Sequence, residues 1–431
     1  MKYSEKKETN EFNSLTDMVR EYETSLNAYR IKAVATKIAA IPRDAGTLLG
    51  EQAKEGTPFT FRLGEDPVRV KIDTPIEGVQ EAMDDGVAMV ARFNTPTDGY
   101  KCFAMAPTAK EPLLRCAGLL CPTLAGQTNK ARDELSPEFV SLVFNEATRK
   151  YKGDPSTASI GETPDMACFT AIVQDGQLRY AGRTYKYVPI SEALEVAKNS
   201  VGAEFPKAEF VNGEFSHEGC TAVWDLGEET AKEYLDLLPE KVKTGLLEGA
   251  KVLFQFDTSN VSESGIRLTP RLMLKGKVSI PAGTPVNVPH KGDDPLKRFT
   301  EQAAKIGKAF SDMPEEFKRL EETEISNPES CLIKLYESIG RKSIKWVEKA
   351  KEFASYYPYE CSALDILCEV LDALKDEIAE RDLSLSQAAD LCDAAARRVM
   401  NPNFKKQYDV DTALEKEGIV PEAVEEEPTA A

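Results

Sequence analysis

Two hydrophobic periodicities follow one another along the chain. Before about residue 295, short runs alternate between apolar and polar side chains, as in PFTFRL (58–63) and KVLFQFD (251–257), and this alternation predicts β-strands. After Pro295, apolar residues recur at intervals of three and four, as in ALDILCEVLDALKDEIAE (363–380), which predicts amphipathic helices. The sequence therefore predicts an α+β fold, with a mixed or antiparallel sheet body followed by a C-terminal α-helical bundle.

Turn residues join several of the alternating runs into hairpins. Asp175-Gly176 separates ACFTAIV from LRYAGR, and Gly64-Glu65-Asp66 separates PFTFRL from PVRVKI. An Asp-Gly pair favours a tight turn with positive φ. Residues 267–280 are also expected to be extended. Because Pro270 cannot donate a backbone hydrogen bond, it predicts an edge strand or a bulge within that segment.

Capping residues predict where several helices begin. Ser14 and Ser362 each precede a one-sided apolar stripe, and a serine at this position accepts a hydrogen bond from the first helical turn. A short helix is expected over 191–198, a Ser-Pro pair predicts another over 138–150, and a long helix is expected over 228–247.

Composition divides the chain into four regions. An N-terminal α+β region is expected over 1–152, and a β-rich α+β region with a basic edge over 166–295, with the Gly-, Pro- and Ser-rich segment 153–165 as the seam between them. A helical domain is expected over 296–402. Residues 403–431 form an acidic tail with few large apolar groups, which predicts disorder.

The overall composition indicates in which cell compartment the protein is expected. The nine cysteines are scattered and none has CxxC spacing, which favours reduced thiols in the cytoplasm and predicts no metal site. The longest uncharged run near the middle, residues 116–129, contains Pro122 and falls short of the roughly 18 apolar residues of a membrane helix. The N-terminus lacks a secretory hydrophobic region. A cytoplasmic protein without a membrane partner is therefore expected.

Motifs that would identify a reaction are absent from the sequence. It contains no G-x-x-x-x-G-K-[ST], G-x-G-x-x-G, G-x-S-x-G or H-E-x-x-H, and its histidines are His217 and His290. No catalytic residue is assigned and no cofactor is expected, so a non-enzymatic protein is favoured. Carboxylates alone can support acid–base chemistry, and a carboxylate-dependent enzyme without a signature stays an open alternative.

Positive charge is concentrated in one segment of an acidic protein. The chain carries a net charge of −18, yet residues 264–311 hold nine basic against three acidic residues, a net +6. Cations along an extended segment and a following helix are typical of a surface that tracks a phosphate backbone, and Phe299, Tyr180, Tyr185 and Tyr187 are candidates for stacking on bases. The candidate nucleic-acid contacts are Arg267, Arg271, Lys275, Lys277, His290, Lys291, Lys297 and Arg298.

The same cations have a structural interpretation. They can pair with the carboxylates of the rest of the chain or of another subunit, and this would make the chain an interaction or assembly module. The tail from Asp411 onward carries seven acidic residues and one lysine. A mobile segment of that charge would compete with a polyanion for a cationic groove in a salt-dependent way.

Four stretches between residues 187 and 310 carry a family resemblance. They are YVPISEAL, HEGCTAVWDL, FQFDTSNVSESGIRLTPRLML and NVPHKGDDPLKRFTEQAAKIGKAF. The segment resembles the phage/plasmid-like family built on a domain of unknown function. The resemblance implies a protein of a phage, plasmid or integrated element that acts in the host cytoplasm, and it supplies no reaction.

Together these features predict a non-enzymatic, nucleic-acid-associated accessory protein of a phage or plasmid, with single strands as the favoured partner. The alternatives are a protein–protein interaction or assembly module, with a protein partner or a second copy as its target, and an enzyme without a recognisable signature.

Overall fold

The described parts of the chain form an α+β fold, as the sequence predicts. The computed structural model describes residues 10–32, 37–42, 58–63, 66–71, 87–95, 99–106, 109–116, 168–174, 177–182, 184–215, 219–238, 250–259, 265–274, 277–357, 359–383 and 385–410. Strands dominate before residue 290 and helices dominate after it. None of the helices in these ranges has the length and apolar character needed to cross a lipid bilayer.

The described strands pair mostly antiparallel. They are β1 (Asn10–Phe12), β2 (Leu26–Lys32), β3 (Lys37–Pro42), β4 (Pro58–Leu63), β5 (Asp66–Lys71), β6 (Val87–Thr95), β7 (Gly99–Met105), β8 (Cys168–Gln174), β9 (Gln177–Gly182), β10 (Glu209–Phe215), β11 (Cys220–Asp225), β12 (Lys251–Thr258), β13 (Ile266–Met273), β14 (Ser279–Pro281), β15 (Val286–Val288), β16 (Glu324–Ile325) and β17 (Cys361–Ser362). The predicted hairpins β4–β5 and β8–β9 are confirmed.

The described helices are concentrated at the C-terminal end. They are α1 (Leu15–Ser25), α2 (Lys110–Cys116), α3 (Ile190–Glu204), α4 (Glu228–Leu235), α5 (Pro295–Ala303), α6 (Met313–Glu322), α7 (Pro328–Ser338), α8 (Ile344–Tyr356), α9 (Ala363–Glu380), α10 (Leu385–Val399) and α11 (Phe404–Tyr408). Ser14 caps α1 and Ser362 caps α9, as predicted, each through its side-chain oxygen.

Two larger sheets organise the strands. A six-stranded sheet has the order β2-β8-β9-β7-β6-β3, and its β7–β9 pair is parallel. A seven-stranded sheet has the order β1-β10-β11-β12-β13, and the far side of β13 pairs with both β14 and β15. The first sheet has its own small core, which includes Phe103, Leu113 and Phe169.

One face of the seven-stranded sheet is apolar and aromatic. Phe254 and Phe256 of β12 project from it and are fully buried. The ring of Phe254 lies 5.6 Å from Phe205 and 5.4 Å from Phe310, and the ring of Phe256 lies 6.1 Å from Phe299 of α5. These contacts hold the layer of α3 and α5 against this face of the sheet.

The C-terminal helices share the core of the seven-stranded sheet. Phe254 and Phe256 belong to the same continuous hydrophobic core as Leu364, Leu367 and Leu374 of α9. Within the helical part, α7 packs on α8, and α9 packs on α10 and α6. The hydrophobic core therefore does not follow the boundary near residue 295 that the sequence indicates.

Pro270 lies inside the sheet, so its predicted edge position is wrong. It stands opposite Phe254 of β12, and on its other side β15 pairs with residues 266–268 and β14 with residues 271–273. The Pro270 carbonyl accepts a hydrogen bond from Ala282 N at 2.9 Å, so its nitrogen faces the break between β15 and β14. The missing N–H therefore interrupts no ladder.

Helix α3 is longer than the predicted 191–198. It begins after Pro189 without a side-chain cap and continues to Glu204, because Ala197 and Val201 extend its buried stripe. Helix α4 ends at Leu235 and residues 236–238 form a turn, so the predicted continuous helix over 228–247 is wrong. Other predictions fall outside the described residues: the helix over 138–150, the seam at 153–165 and the tail from 411.

Residues 403–410 are ordered, which corrects the prediction that disorder begins at 403. Phe404 is buried and stacks on Tyr408 at 5.1 Å. The Asp409 carboxylate accepts hydrogen bonds from Ser326 N (3.0 Å) and Asn327 N (2.8 Å) at the start of α7. A partner distant in sequence thus caps α7, whereas Asn327 makes no side-chain cap bond of its own.

We expect Asp409→Ala to destabilise the protein by about 1–3 kcal/mol, because it leaves backbone donors without an acceptor. Burial raises the pKa of Asp409, but hydrogen bonds from Ser326, Lys405 and Asn327 outweigh burial and lower it below its usual value. The stabilisation is therefore complete above the unfolded value of about 3.9 and is lost as pH falls through the folded value. Urea unfolding at pH 7 and at low pH measures both effects. The exposed Asp236, substituted to Ala, is the control; an equal loss there would contradict the capping role.

Candidate functional site

The seven-stranded sheet separates members of the predicted basic segment. Side chains alternate along β13, so Leu268 and Leu272 face the apolar core, while Arg267 and Arg271 lie on the opposite face. Lys297 belongs to α5, which packs over the apolar face. Cations that are neighbours in sequence therefore lie on two sides of the sheet.

We call the side of the sheet that carries Arg267 and Arg271 the polar face. Cross-strand register places Arg267 opposite Asp257, and Asp257 opposite Thr221 on the next strand. The polar side chains on this face include Asn212, Glu214, Thr221, Gln255, Asp257, Arg267, Thr269, Arg271 and Asn287. Its buried members are Glu214, Thr221, Gln255, Thr269 and Arg271. A buried polar surface of this extent needs partners within the protein.

Helix α10 covers part of the polar face and is held there by an ion pair. Arg271 is 2% exposed and donates through both terminal nitrogens to Asp393, at 2.6 and 3.3 Å. It also donates to the hydroxyl and the carbonyl of Ser279, each at 3.0 Å. At the other end of the contact, Leu385 N donates to Glu214 at 3.2 Å. The helix therefore crosses the face from β10 to β13.

Asp257 is the central carboxylate of the polar face. Its Oδ1 accepts hydrogen bonds from Thr221 Oγ1 at 2.8 Å and from Gln255 Nε2 at 2.9 Å. Burial raises the pKa of this carboxyl above its usual value, and the two hydrogen bonds and the nearby Arg271 and Arg267 offset part of that rise. Asp257 therefore holds a proton more readily than an exposed aspartate.

Asp390 approaches the same group from α10, three residues before Asp393. Partial desolvation beside the sheet raises the pKa of its carboxyl, the carboxylates of Asp257 and Asp393 raise it further, and Arg267 and Arg271 lower it. Asp390 is exposed, and Asp257 and Arg267 are partly exposed. The polar face thus opens to solvent at these three residues.

His290 is a structural residue on the other side of the sheet. Its Nε2 lies 3.0 Å from Thr258 Oγ1 and its Nδ1 lies 3.1 Å from the Lys186 carbonyl, and its ring stacks on Tyr185 at 5.1 Å. Burial lowers its pKa, against the hydrogen bond to Lys186. The neutral, buried ring does not present a charge to a ligand; it fixes Lys186 beside Lys291, since Lys186 N also donates to the His290 carbonyl at 2.9 Å.

We call the exposed basic side chains on and beside α5 the cationic surface. Arg298 is partly buried and donates to the carbonyls of Pro289 (3.2 Å) and Lys291, which fixes its head next to that turn. The exposed members are Lys186, Lys291, Lys297, Lys305 and Lys308. None of these lysine ammonium groups forms an ion pair within the described chain.

The remaining residues that the sequence predicts as nucleic-acid contacts lie elsewhere in the structure. Lys277 donates to the Leu383 carbonyl at 2.9 Å and lies 3.7 Å from Asp382, at the start of the α10 segment. Lys275 lies outside the described residues. Phe299 and Tyr185 are buried, so they cannot stack on a base. The structure therefore brings Lys291, Lys297 and Arg298 together, and separates them from Arg267, Arg271 and Lys277.

Sequence reasoning missed Lys186, Asp390 and Asp393. Lys186 is 104 residues from His290 and Asp393 is 122 residues from Arg271, so no local pattern connects them. One signal was present: Arg267, Thr269 and Arg271 occupy every second position of a strand, which indicates a polar face that requires partners.

Two further observations concern metal sites and similar proteins. Among residues that the structure describes, no three His, Cys, Asp or Glu side chains are grouped as a metal site requires. Comparison with protein-family models, with curated proteins and with solved structures finds no match.

Arg271→Gln should lower the free energy of unfolding by about 3–5 kcal/mol, because it removes the buried partner of Asp393 and leaves that carboxylate only a mostly exposed arginine. Arg397 provides a matched control, since it contacts the same Asp393 at 3.2 Å but is mostly exposed. Arg397→Gln should cost at most about 1 kcal/mol. Urea unfolding measures both variants. Equal losses would show that the buried pair does not anchor α10.

Proposed function

We propose that the protein is a non-enzymatic, nucleic-acid-associated accessory protein that binds single strands on the cationic surface. The observation that carries this proposal is that its five exposed lysines make no ion pair within the described chain. In a protein of net charge −18, such cations are available to phosphates, and each phosphate contact releases counterions.

Local geometry supports a backbone-tracking mode of binding. The His290 contacts hold Lys186 beside Lys291, and Arg298 binds the carbonyl of Lys291, so these three cations form one group at the start of α5. Lys297, Lys305 and Lys308 continue the surface along α5 and the following turn. Asp293, Asp294 and Glu301 lie between them and moderate the local charge, which favours weak and salt-sensitive binding.

The resemblance of residues 187–310 to the phage/plasmid-like family adds a setting to this proposal. In that setting the protein acts on nucleic acid of a mobile element in the host cytoplasm. Arg271 and His290 have no direct role in the proposed contact, because their polar atoms are used inside the protein.

Replacing Lys291, Lys297, Lys305 and Lys308 together with Gln should weaken binding to a single-stranded oligonucleotide. It should also reduce the magnitude of the slope of log K against log salt by up to about three, since each lost phosphate contact contributes roughly 0.7 to that slope. Fluorescence anisotropy at two salt concentrations measures both quantities, with a duplex of the same sequence as comparison.

A control with the same change in net charge is available in the C-terminal helical part of the chain. Lys318, Lys342, Lys351 and Lys406 are also exposed, and their fourfold substitution with Gln should leave the salt slope unchanged. If both quadruple variants lose binding equally, net charge alone explains it. If the unsubstituted protein binds no oligonucleotide at low salt, the proposal fails.

Deleting residues 411–431 should strengthen oligonucleotide binding at low salt and have little effect at high salt. The segment carries seven acidic residues and one lysine, and an intramolecular polyanion competes with a ligand for the same cations until salt screens it. The anisotropy titration compares the shortened and full chains at the same two salt concentrations. Unchanged affinity at low salt would remove the competing role of the tail.

A protein–protein assembly function is the second candidate, and exposed aromatic residues favour it. Tyr356 and Tyr359 are 72% and 85% exposed near the end of α8, and Ile344 at its start is 76% exposed. Large apolar groups at the surface are a common feature of interaction sites. Light scattering over a range of protein concentrations, with and without Tyr356→Ser and Tyr359→Ser, tests self-association at this surface.

A further inference from the structure

The corner of the polar face at β12, β13 and β15 holds polar groups whose hydrogen-bonding capacity is unused within the described chain. Arg267 stands between Asp257 on β12 and Asn287 on β15. Asp257 uses Oδ1 for both of its hydrogen bonds. Within the ranges that the structure describes, the guanidinium of Arg267 and Oδ2 of Asp257 have no hydrogen-bond partner.

Thr269 adds a buried polar group to the same corner. It is only 4% exposed and projects from the polar face between Arg267 and Arg271, opposite Gln255. Its hydroxyl has no hydrogen-bond partner in the described part of the chain. The oxygen is not among the fully buried side-chain atoms that lack a partner, so it keeps access to solvent and is available to a hydrogen-bonding ligand.

Helix α10 forms the wall of this corner. Its Asp393 is committed to Arg271, whereas Asp390, one turn earlier, is exposed and has no hydrogen-bond or ion-pair partner among the described residues. Asp390 lies on α10 between Leu385, which bonds to Glu214 of β10, and Asp393, which bonds to Arg271 of β13, so it stands over the strands that carry Asp257 and Arg267. The corner therefore combines one unused cation with two carboxylates that retain unused oxygens.

The chemistry of these groups selects the ligand. The planar fork of Arg267 matches a carboxylate, to which it can donate two parallel hydrogen bonds. Asp257 Oδ2 and the Asp390 carboxylate are acceptors, which suit an ammonium group. A metal ion is disfavoured, because no three ligating side chains are grouped in the described chain. A purely anionic ligand would be repelled by the two aspartates.

We propose that this corner binds a small zwitterion of the amino-acid class, with its carboxylate on Arg267 and its ammonium group between Asp257 and Asp390. Thr269 supplies a further hydrogen bond from the floor of the site. The proposal is independent of the nucleic-acid function, because the cationic surface lies on the other side of the sheet.

The test is calorimetric titration of the full-length protein with a series of unbranched amino acids, from glycine to 6-aminohexanoate. The series varies the separation of the two charges, so one length should bind best. Acetate and methylammonium, which each carry one of the two charges, should not bind measurably. Binding of acetate as strong as that of every amino acid would overturn the zwitterion assignment, and so would the absence of binding throughout the series.

Variants locate the site. Asp390→Asn and Arg267→Gln should each weaken binding of the best ligand by about tenfold or more, the size expected for a lost charged hydrogen bond. Arg267→Lys retains the charge but loses the fork, so it should restore only part of the affinity. Asp382→Asn is the matched control, since Asp382 is 97% exposed just before α10. This variant should bind the same ligand with unchanged affinity. Unchanged affinity in both site variants, with folding confirmed by circular dichroism, would place any binding elsewhere and overturn the proposal.

Discussion

The alternation of side chains along β13 is the constraint on which the two sides of the seven-stranded sheet depend. Ile266, Leu268 and Leu272 complete the apolar core. The same geometry requires Arg267 and Arg271 to face away from it. On that face Arg267 stays partly exposed, whereas Arg271 is buried beneath helix α10, whose Asp393 supplies the carboxylate that pairs with it.

The ion pair between Arg271 and Asp393 contributes specificity more than net stability. Removing two charges from water is costly, and their attraction roughly offsets that cost. Apolar contacts already hold α10, since Ala388, Cys392 and Ala395 belong to the shared core. Apolar contacts of this kind would allow α10 to shift along the sheet. An ion pair with two hydrogen bonds is satisfied in only one position of the helix. We therefore interpret the pair as the feature that fixes where Asp390 stands.

Periodicity was sufficient to predict the local elements, and insufficient to predict their neighbours. The alternating runs at β4–β5 and β8–β9 and the stripe of α9 follow from residue patterns alone. The split of the basic segment does not, because it depends on strand register and on a helix 122 residues away. Pro270 shows the same limit: its missing N–H is harmless only because two separate strands meet beside it.

The cationic surface and the corner of the polar face both adjoin strand β12, on its opposite sides, and the interactions proposed for them differ. Asp257 and Thr258 are consecutive residues of β12 whose side chains project to opposite faces; Asp257 borders the corner, and Thr258 contacts His290 beneath the cationic surface. Coupling between two sites requires an element with two arrangements. β12 is paired with β11 and β13 on its two sides, which leaves it little freedom to adopt a second arrangement. The sheet is therefore better understood as a rigid partition, on whose two sides the proposed phosphate contacts and the proposed zwitterion site would act independently.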